Sequence, residues 1–276
     1  MALFAASLNS GSNGNCYYVG NANEAVLVDV GISCREVEKR MKRLGLSPKQ
    51  VKAIFVSHEH GDHIHGVPAL AAKFEIPVYI TEATYRAANL SLAKTEVRSF
   101  VANQSITIGA LQVTPFLKQH DAVDPHSFIV QQDEICVGIM TDIGRACDQV
   151  IKYLQQCHAV FIESNYDVDM LERGGYPRAL KNRIRNGLGH LSNVEAAELV
   201  KQYHPDFLSH VFLSHLSRNN NSPERALTTF QSLGLPCQIL VAPRDKETPL
   251  FLIDGSKPAF SQPAIVLPEG SQLKLF

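Results

Sequence analysis

The stretch that most constrains this chain is Ser57-His58-Glu59-His60-Gly61-Asp62-His63. It follows Ala53-Ile54-Phe55-Val56, an apolar, β-branched run that reads as a buried strand. The strand therefore ends by delivering four potential metal ligands, His58, His60, Asp62 and His63, within six residues. In an extended loop, side chains two apart point the same way, so His58 and His60 can grip one ion together. Asp62 and His63 are adjacent and fit a second ion beside the first. Two divalent ions about 3.5–4 Å apart, with a hydroxide held between them, make a hydrolytic centre. A polar loop with chance histidines accounts poorly for this density and spacing.

The pattern His-x-His-x-Asp-His after a hydrophobic strand resembles the metallo-β-lactamase superfamily of metal-dependent hydrolases. It implies a superfamily and not a substrate. Length leaves room for a large core: 276 residues suit one big α/β domain or two small ones. No low-complexity segment or Pro/Gly-rich linker divides the chain, so one domain over 1–276 is the simpler expectation. A net charge of −1 gives no global attraction to nucleic acid, and any such binding must come from a local basic patch. No apolar run approaches the roughly 18–20 residues that span a bilayer, and the first residues lack the basic start of a secretion signal. Cys16, Cys34, Cys136, Cys147, Cys157 and Cys237 are scattered without paired spacing, which reads as free thiols packed in a cytoplasmic protein.

Several predicted strands each end in a polar residue. Ala25–Val28 ends in Asp29, and Ile135–Met140 leads to Thr141-Asp142. Ala159–Ile162 leads to Glu163-Ser164-Asn165, and Val211–Ser214 to His215. Helical spacing joins Val37, Met41 and Leu44, with Gly45 as the stop. Residues 67–74 and 84–92 also read as helices, and 105–115 as a hairpin. An α/β enzyme assembles its site at such strand ends. His120, Asp142 and His215 complete the candidate ligand set, in the order in which the superfamily places its ligands. His58, His60 and His120 would hold one ion, and Asp62, His63 and His215 the other. Asp142 would bridge them, because a carboxylate offers two oxygens. His210 competes with His215, but it precedes the same apolar strand and so belongs at the opposite end. His65 reads as flanking, and His126 as a residue that could reach the edge of the site.

A set of nitrogen and oxygen donors without thiolate suits zinc and leaves manganese open. His190 lies just before Ser192-Asn193-Val194-Glu195, a capping-box sequence, so it is expected beside a helix N-terminus that attracts anions. There it would contact the scissile phosphate or protonate the leaving oxygen. Arg178, Lys181 and Arg185 share a helical face leading to His190 and are expected to track phosphates. Asn13 and Asn15, in the turn-like Ser10–Asn15 stretch, are candidates for a further phosphate contact.

Five segments carry a narrower resemblance: Ser10–Asn15, His120–Pro125, Glu163–Asp167, Gly189–Asn193 and His215–Asn220. They are similar to the YycJ/WalJ branch of the superfamily, in order, from about residue 3 to residue 250. His126 stands where that branch would have a small apolar residue. The resemblance implies a four-layer αββα sandwich and a DNA exonuclease acting 5′ to 3′ on duplex ends, suited to DNA repair. The catalytic residues would be Asp62 and His190. A small-molecule phosphodiesterase, a ribonuclease like RNase Z, and a non-catalytic metal-binding regulator are the alternatives. The sequence leaves the oligomeric state open.

Overall fold

Alternation of apolar side chains across each strand sorts this chain into layers. The computed structural model describes residues 2–256, so the expected domain of 1–276 runs past the described residues at both ends. One sheet contains β1 (Leu3–Asn9), β2 (Cys16–Gly20), β3 (Ala25–Val28), β4 (Val51–Phe55), β5 (Val78–Tyr79) and β6 (Val97–Arg98). The second contains β7 (Ile106–Ile108), β8 (Leu111–Leu117), β9 (His126–Gln132), β10 (Ile135–Met140), β11 (Ala159–Glu163), β12 (His210–Ser214) and β13 (Gln238–Val241). Strand β14 (Phe251–Ile253) returns to the first sheet and pairs antiparallel with β1.

Each sheet is half antiparallel and half parallel. In the first, β1, β2 and β3 pair antiparallel while β3, β4, β5 and β6 run parallel. In the second, β7, β8, β9 and β10 alternate in direction while β10, β11, β12 and β13 run parallel. Strand β8 is therefore co-directional with β10, and the ends of β8, β10, β11 and β12 gather along one edge.

Successive residues of a strand serve different layers, because side chains alternate sides. Tyr17, Val28, Phe55, Phe128, Phe161 and Phe212 fill the space between the sheets. Their neighbours Leu27 and Ile54 instead meet Val37 and Met41 of α1 (Cys34–Arg43) and Val67 and Leu70 of α3 (Val67–Phe74). The short α2 (Gly61–Ile64) precedes α3, and α4 (Glu82–Ala88) follows it. On the far side, Val160, Ile162 and Leu213 pack with α5 (Asp148–Leu154), α8 (Asn193–Tyr203) and α9 (Pro223–Gln231). Between α5 and α8 lie α6 (Val168–Arg173) and α7 (Arg178–Arg185). This is the four-layer αββα sandwich.

Local differences from expectation have local causes. Helix α4 starts at Glu82 because Thr81 caps it through Thr84 N, and it stops at Asn89, which takes a left-handed conformation. Among the described residues no helix is long and apolar enough to cross a membrane.

Candidate metal centre

The left-handed backbone conformation, uncommon outside glycine, recurs where strands deliver polar residues. Asp29 after β3 has φ 59°, Asp142 after β10 has φ 55°, and His215 after β12 has φ 56°. Each turns the chain sharply inward at the sheet edge. His58, His60, Asp62 and His63 arrive from the end of β4, and His120 from the end of β8. The structure thus brings all seven expected ligands to one place. His210 is at the start of β12, with its ring 5.9 Å from Phe212, at the other end of that strand.

The imidazoles are held with one nitrogen committed and the other free. His63 Nδ1 lies 2.7 Å from Asp29 Oδ2, and His58 Nδ1 lies 2.8 Å from Ser57 Oγ. His120 Nδ1 lies 3.0 Å from the Gly189 carbonyl, and His215 Nδ1 lies 2.9 Å from Glu163 Oε1. These contacts through Nδ1 orient each ring so that Nε2 faces the centre, the arrangement metal-binding histidines use. Asp29 also accepts from Ser57 N and Ser57 Oγ, so one carboxylate orders the whole loop entrance.

The free atoms converge. His58 Nε2 lies 3.1 Å from His60 Nδ1, which lies 3.4 Å from His120 Nε2. Nitrogens sharing a tetrahedral zinc at about 2.0–2.1 Å would stand about 3.4 Å apart. Asp62 Oδ2 lies 3.6 Å from His63 Nε2 and 3.5 Å from His215 Nε2. Asp142 stands between the groups, with Oδ2 3.1 Å from His63 Nε2 and Oδ1 3.9 Å from His120 Nε2. His215 Nε2 is buried without a hydrogen-bond partner, and Asp142 Oδ2 faces only the imidazole of His63. Buried polar atoms are rarely left so, and an ion is a fitting partner for both. The donor set therefore fits divalent metal. His58, His60 and His120 form one candidate group and Asp62, His63 and His215 another, while Asp142 joins His58 and His63 in a third.

Electrostatics divides the histidines. Burial holds His58 well below its ordinary value and His120 down at about 4, so both are neutral and ready to ligate. Burial acts the same way on His63 and His215. At His63 the carboxylates of Asp142, Asp29 and Asp62 reverse it, and at His215 those of Asp142, Asp62 and Glu163 do so. His63 is thus raised, and His215 reaches about 10. In the metal-free protein at pH 7 both carry protons that an incoming cation must displace. Apparent metal affinity is therefore expected to rise with pH up to about 10, where His215 gives up its proton, by up to tenfold per unit for each proton released. Metal titrations at a series of pH values check this, and an affinity independent of pH over that range contradicts it.

Two residues absent from the expected site hold it together. Glu163, fully buried at the end of β11, accepts from Ile143 N and Leu191 N through Oε2. Its Oε1 contacts both His190 Nδ1, at 2.8 Å, and His215 Nδ1. Burial alone would raise its carboxyl, but His190 and His215 bring it down to about 2, so it remains ionised. Lys118, also buried, donates to the Thr141 carbonyl at 2.7 Å and secures the turn into Asp142.

The remaining expectations need correction. Asn15 is wholly buried: its Oδ1 accepts from Gly11 N and Tyr17 Oη, and its Nδ2 sits against Asp62 and His63. It braces the ligand loop and is closed to a phosphate. Asn13 spends its amide on the Arg244 carbonyl. The N-terminus of α8 is filled by its own capping box, Ser192 and Glu195, so His190 meets the cavity with its ring and not beside free helix N–H groups. Lys181 donates to the Glu172 carbonyl and Arg185 pairs with the Glu172 carboxylate. Lys181 and Arg185 are therefore turned toward α6, and neither they nor Arg178 line the cavity. The α7 residues that reach the cavity are Leu180, Arg183 and Ile184. His126 places its ring on Phe100, away from the ligands. The cavity itself, about 200 Å³, opens over His60, Asp62, His120, Asp142, His190 and His215.

Comparison with known proteins gives a consistent result. The family described as the metallo-beta-lactamase superfamily matches residues 10–129. The exodeoxyribonuclease YycJ of Bacillus anthracis is 35% identical over 229 residues, 82% of this chain and 87% of that protein. The exodeoxyribonuclease WalJ of Streptococcus pneumoniae is 32% identical over 256 residues, 88% of this chain and 95% of its own. The metallo-beta-lactamase fold protein YhfI from Bacillus subtilis superposes with a TM-score of 0.71 at 15% identity, over 90% of this chain and 99% of that one.

Proposed function

This chain belongs to the metallo-β-lactamase superfamily, in its YycJ/WalJ branch, and from that premise we propose that it hydrolyses DNA phosphodiesters from a duplex end, 5′ to 3′. The observation that carries the reading is the convergence of two ligand groups on a shared Asp142, beside a histidine held by a buried carboxylate. Two divalent ions, zinc or manganese, bound by His58, His60 and His120 and by Asp62, His63 and His215, would supply a bridging hydroxide for attack on phosphorus and Lewis acidity for the charge that develops.

The chain's own groups do the rest. Asp62 and Asp142 would contribute the negative charge that holds the cations in register. His190 lines the pocket with its Nδ1 2.8 Å from Glu163 Oε1, which leaves Nε2 as the nitrogen that would give a proton to the departing sugar oxygen. The ionised Glu163 holds that ring in place through its Oε1. The six unpaired cysteines fit the expected cytoplasmic setting, and release of nucleotides from DNA ends would serve repair.

End-labelled single- and double-stranded DNA and RNA, each with zinc or manganese, test this. Linear duplex DNA is expected to lose nucleotides from its 5′ ends while closed circles persist. No release from linear duplex with either metal, or equal attack on closed circles, contradicts it.

A further inference from the structure

Among the described residues lining the cavity, Arg183 is the one lysine or arginine. It projects from α7, and its Nε donates to Asp121 Oδ2 at 2.5 Å. The two terminal nitrogens of the guanidinium make no hydrogen bond within the described residues. The other oxygen of Asp121 lies 3.5 Å from His120 Nε2. A single carboxylate thus spans the space from the guanidinium to a nitrogen of the metal centre. A phosphate oxygen is of the same charge sign, and its geometry suits the open fork of the arginine.

The helix that carries Arg183 is fixed to the catalytic groups. His190 N donates to the Ile184 carbonyl at 2.8 Å. Gly189 fits so tightly beneath α7 that an added Cβ would stand 2.2 Å from Ile184 O and 2.3 Å from Arg183 O. The same Gly189 offers its carbonyl to His120. On its other side α7 is tied to Glu172 through Lys181 and Arg185. Leu180 and Ile184 flank Arg183 in the cavity wall and present apolar surface beside the cation. A nucleotide has that division, an anionic phosphate joined to a sugar and base with apolar faces.

We propose that Arg183 is the phosphate-receiving residue of this site: on substrate binding it leaves Asp121 and takes an oxygen of the reacting phosphate, while Leu180 and Ile184 support the attached nucleoside. The inference rests on the phosphodiesterase reading and adds to it the residue that selects the substrate. The ion pair with Asp121 is partly solvent-exposed, with side-chain exposures of 61% and 24%, and such pairs are weak enough to exchange. Asp121 then acts as a stand-in anion that keeps Arg183 aimed at the centre between turnovers.

The test uses the metal-loaded full chain with Arg183→Ala, Arg183→Lys, Asp121→Asn, Arg183→Ala combined with Asp121→Asn, and, as the control, Lys152→Ala on α5, outside the cavity lining. For Arg183→Ala, KM for linear duplex is expected to rise about tenfold or more. The slope of log kcat/KM against log salt should become shallower by about one unit, the loss of one phosphate contact. Arg183→Lys should restore the slope without restoring all of KM. Asp121→Asn should lower KM, and that gain should vanish in the double variant. Lys152→Ala should change neither quantity, and metal content should be the same in Arg183→Ala as in the parent. Unchanged KM and salt slope in Arg183→Ala, with the parent active on DNA, overturn the inference and leave the nuclease reading standing. A parent inert on DNA that cleaves bis(4-nitrophenyl) phosphate, with kcat/KM reduced by Arg183→Ala, supports the inference while removing DNA as substrate.

Discussion

Replacing Asp142 with alanine is expected to lower phosphodiesterase activity by at least ~10³-fold and to reduce the number of ions retained per chain. The carboxylate is buried, lies between the two ligand groups, and sets one oxygen 3.1 Å from His63 Nε2. Burial would raise its pKa, yet His215, His63 and Lys118 hold it well below the usual carboxylate range. It is therefore a permanent negative charge whose natural complement is a cation. Asp142→Asn keeps the shape and removes the charge, and it should fail almost as completely. Both variants retain the core between the sheets, so circular dichroism should show a folded chain. Activity within tenfold of the parent for either variant would contradict the role given to Asp142.

The second large effect concerns the proton. For His190→Ala, kcat on a nucleic-acid diester should fall by about 10²–10⁴-fold, with bound metal unchanged. The loss should be much smaller on bis(4-nitrophenyl) phosphate, whose leaving group departs as a stable anion and needs no proton. Equal losses on both substrates would argue against proton donation and for a role in binding. Glu163→Gln should be worse than His190→Ala, because Glu163 Oε1 also orients the ligand His215. Its signature is loss of metal together with loss of rate, which His190→Ala should not show.

Much of this centre was legible because its ligands sit where apolar strands stop. A run such as Ala53–Val56 followed by His58, His60, Asp62 and His63 announces both a buried strand and a ligand loop, and the family likeness orders the later ligands. Three further facts depended on packing. Glu163 stood in plain view at the end of β11, between strands ending in Asp142 and His215, but a carboxylate that orients histidines leaves no spacing signature of its own. The parallel register, with Glu163 opposite Ser214, was the clue that could have raised it. Arg183 leaves no signal because helical periodicity groups Arg178, Lys181 and Arg185 without saying which face meets the cavity. That choice is made by Glu172 on one side and by Gly189 on the other. Asn15 sits in a turn-like composition that offers it to a phosphate, whereas the close return of the Ser57–His63 loop buries its amide against Asp62 and His63.

The central claim is that seven side chains hold two cations around one reacting phosphate, and counting the cations tests it most directly. The full chain, stripped of metal, reloaded with zinc or manganese at neutral pH and freed of excess ion, should retain two ions per chain by elemental analysis, and measurably fewer after Asp142→Ala. One ion or none in the parent protein would contradict the account.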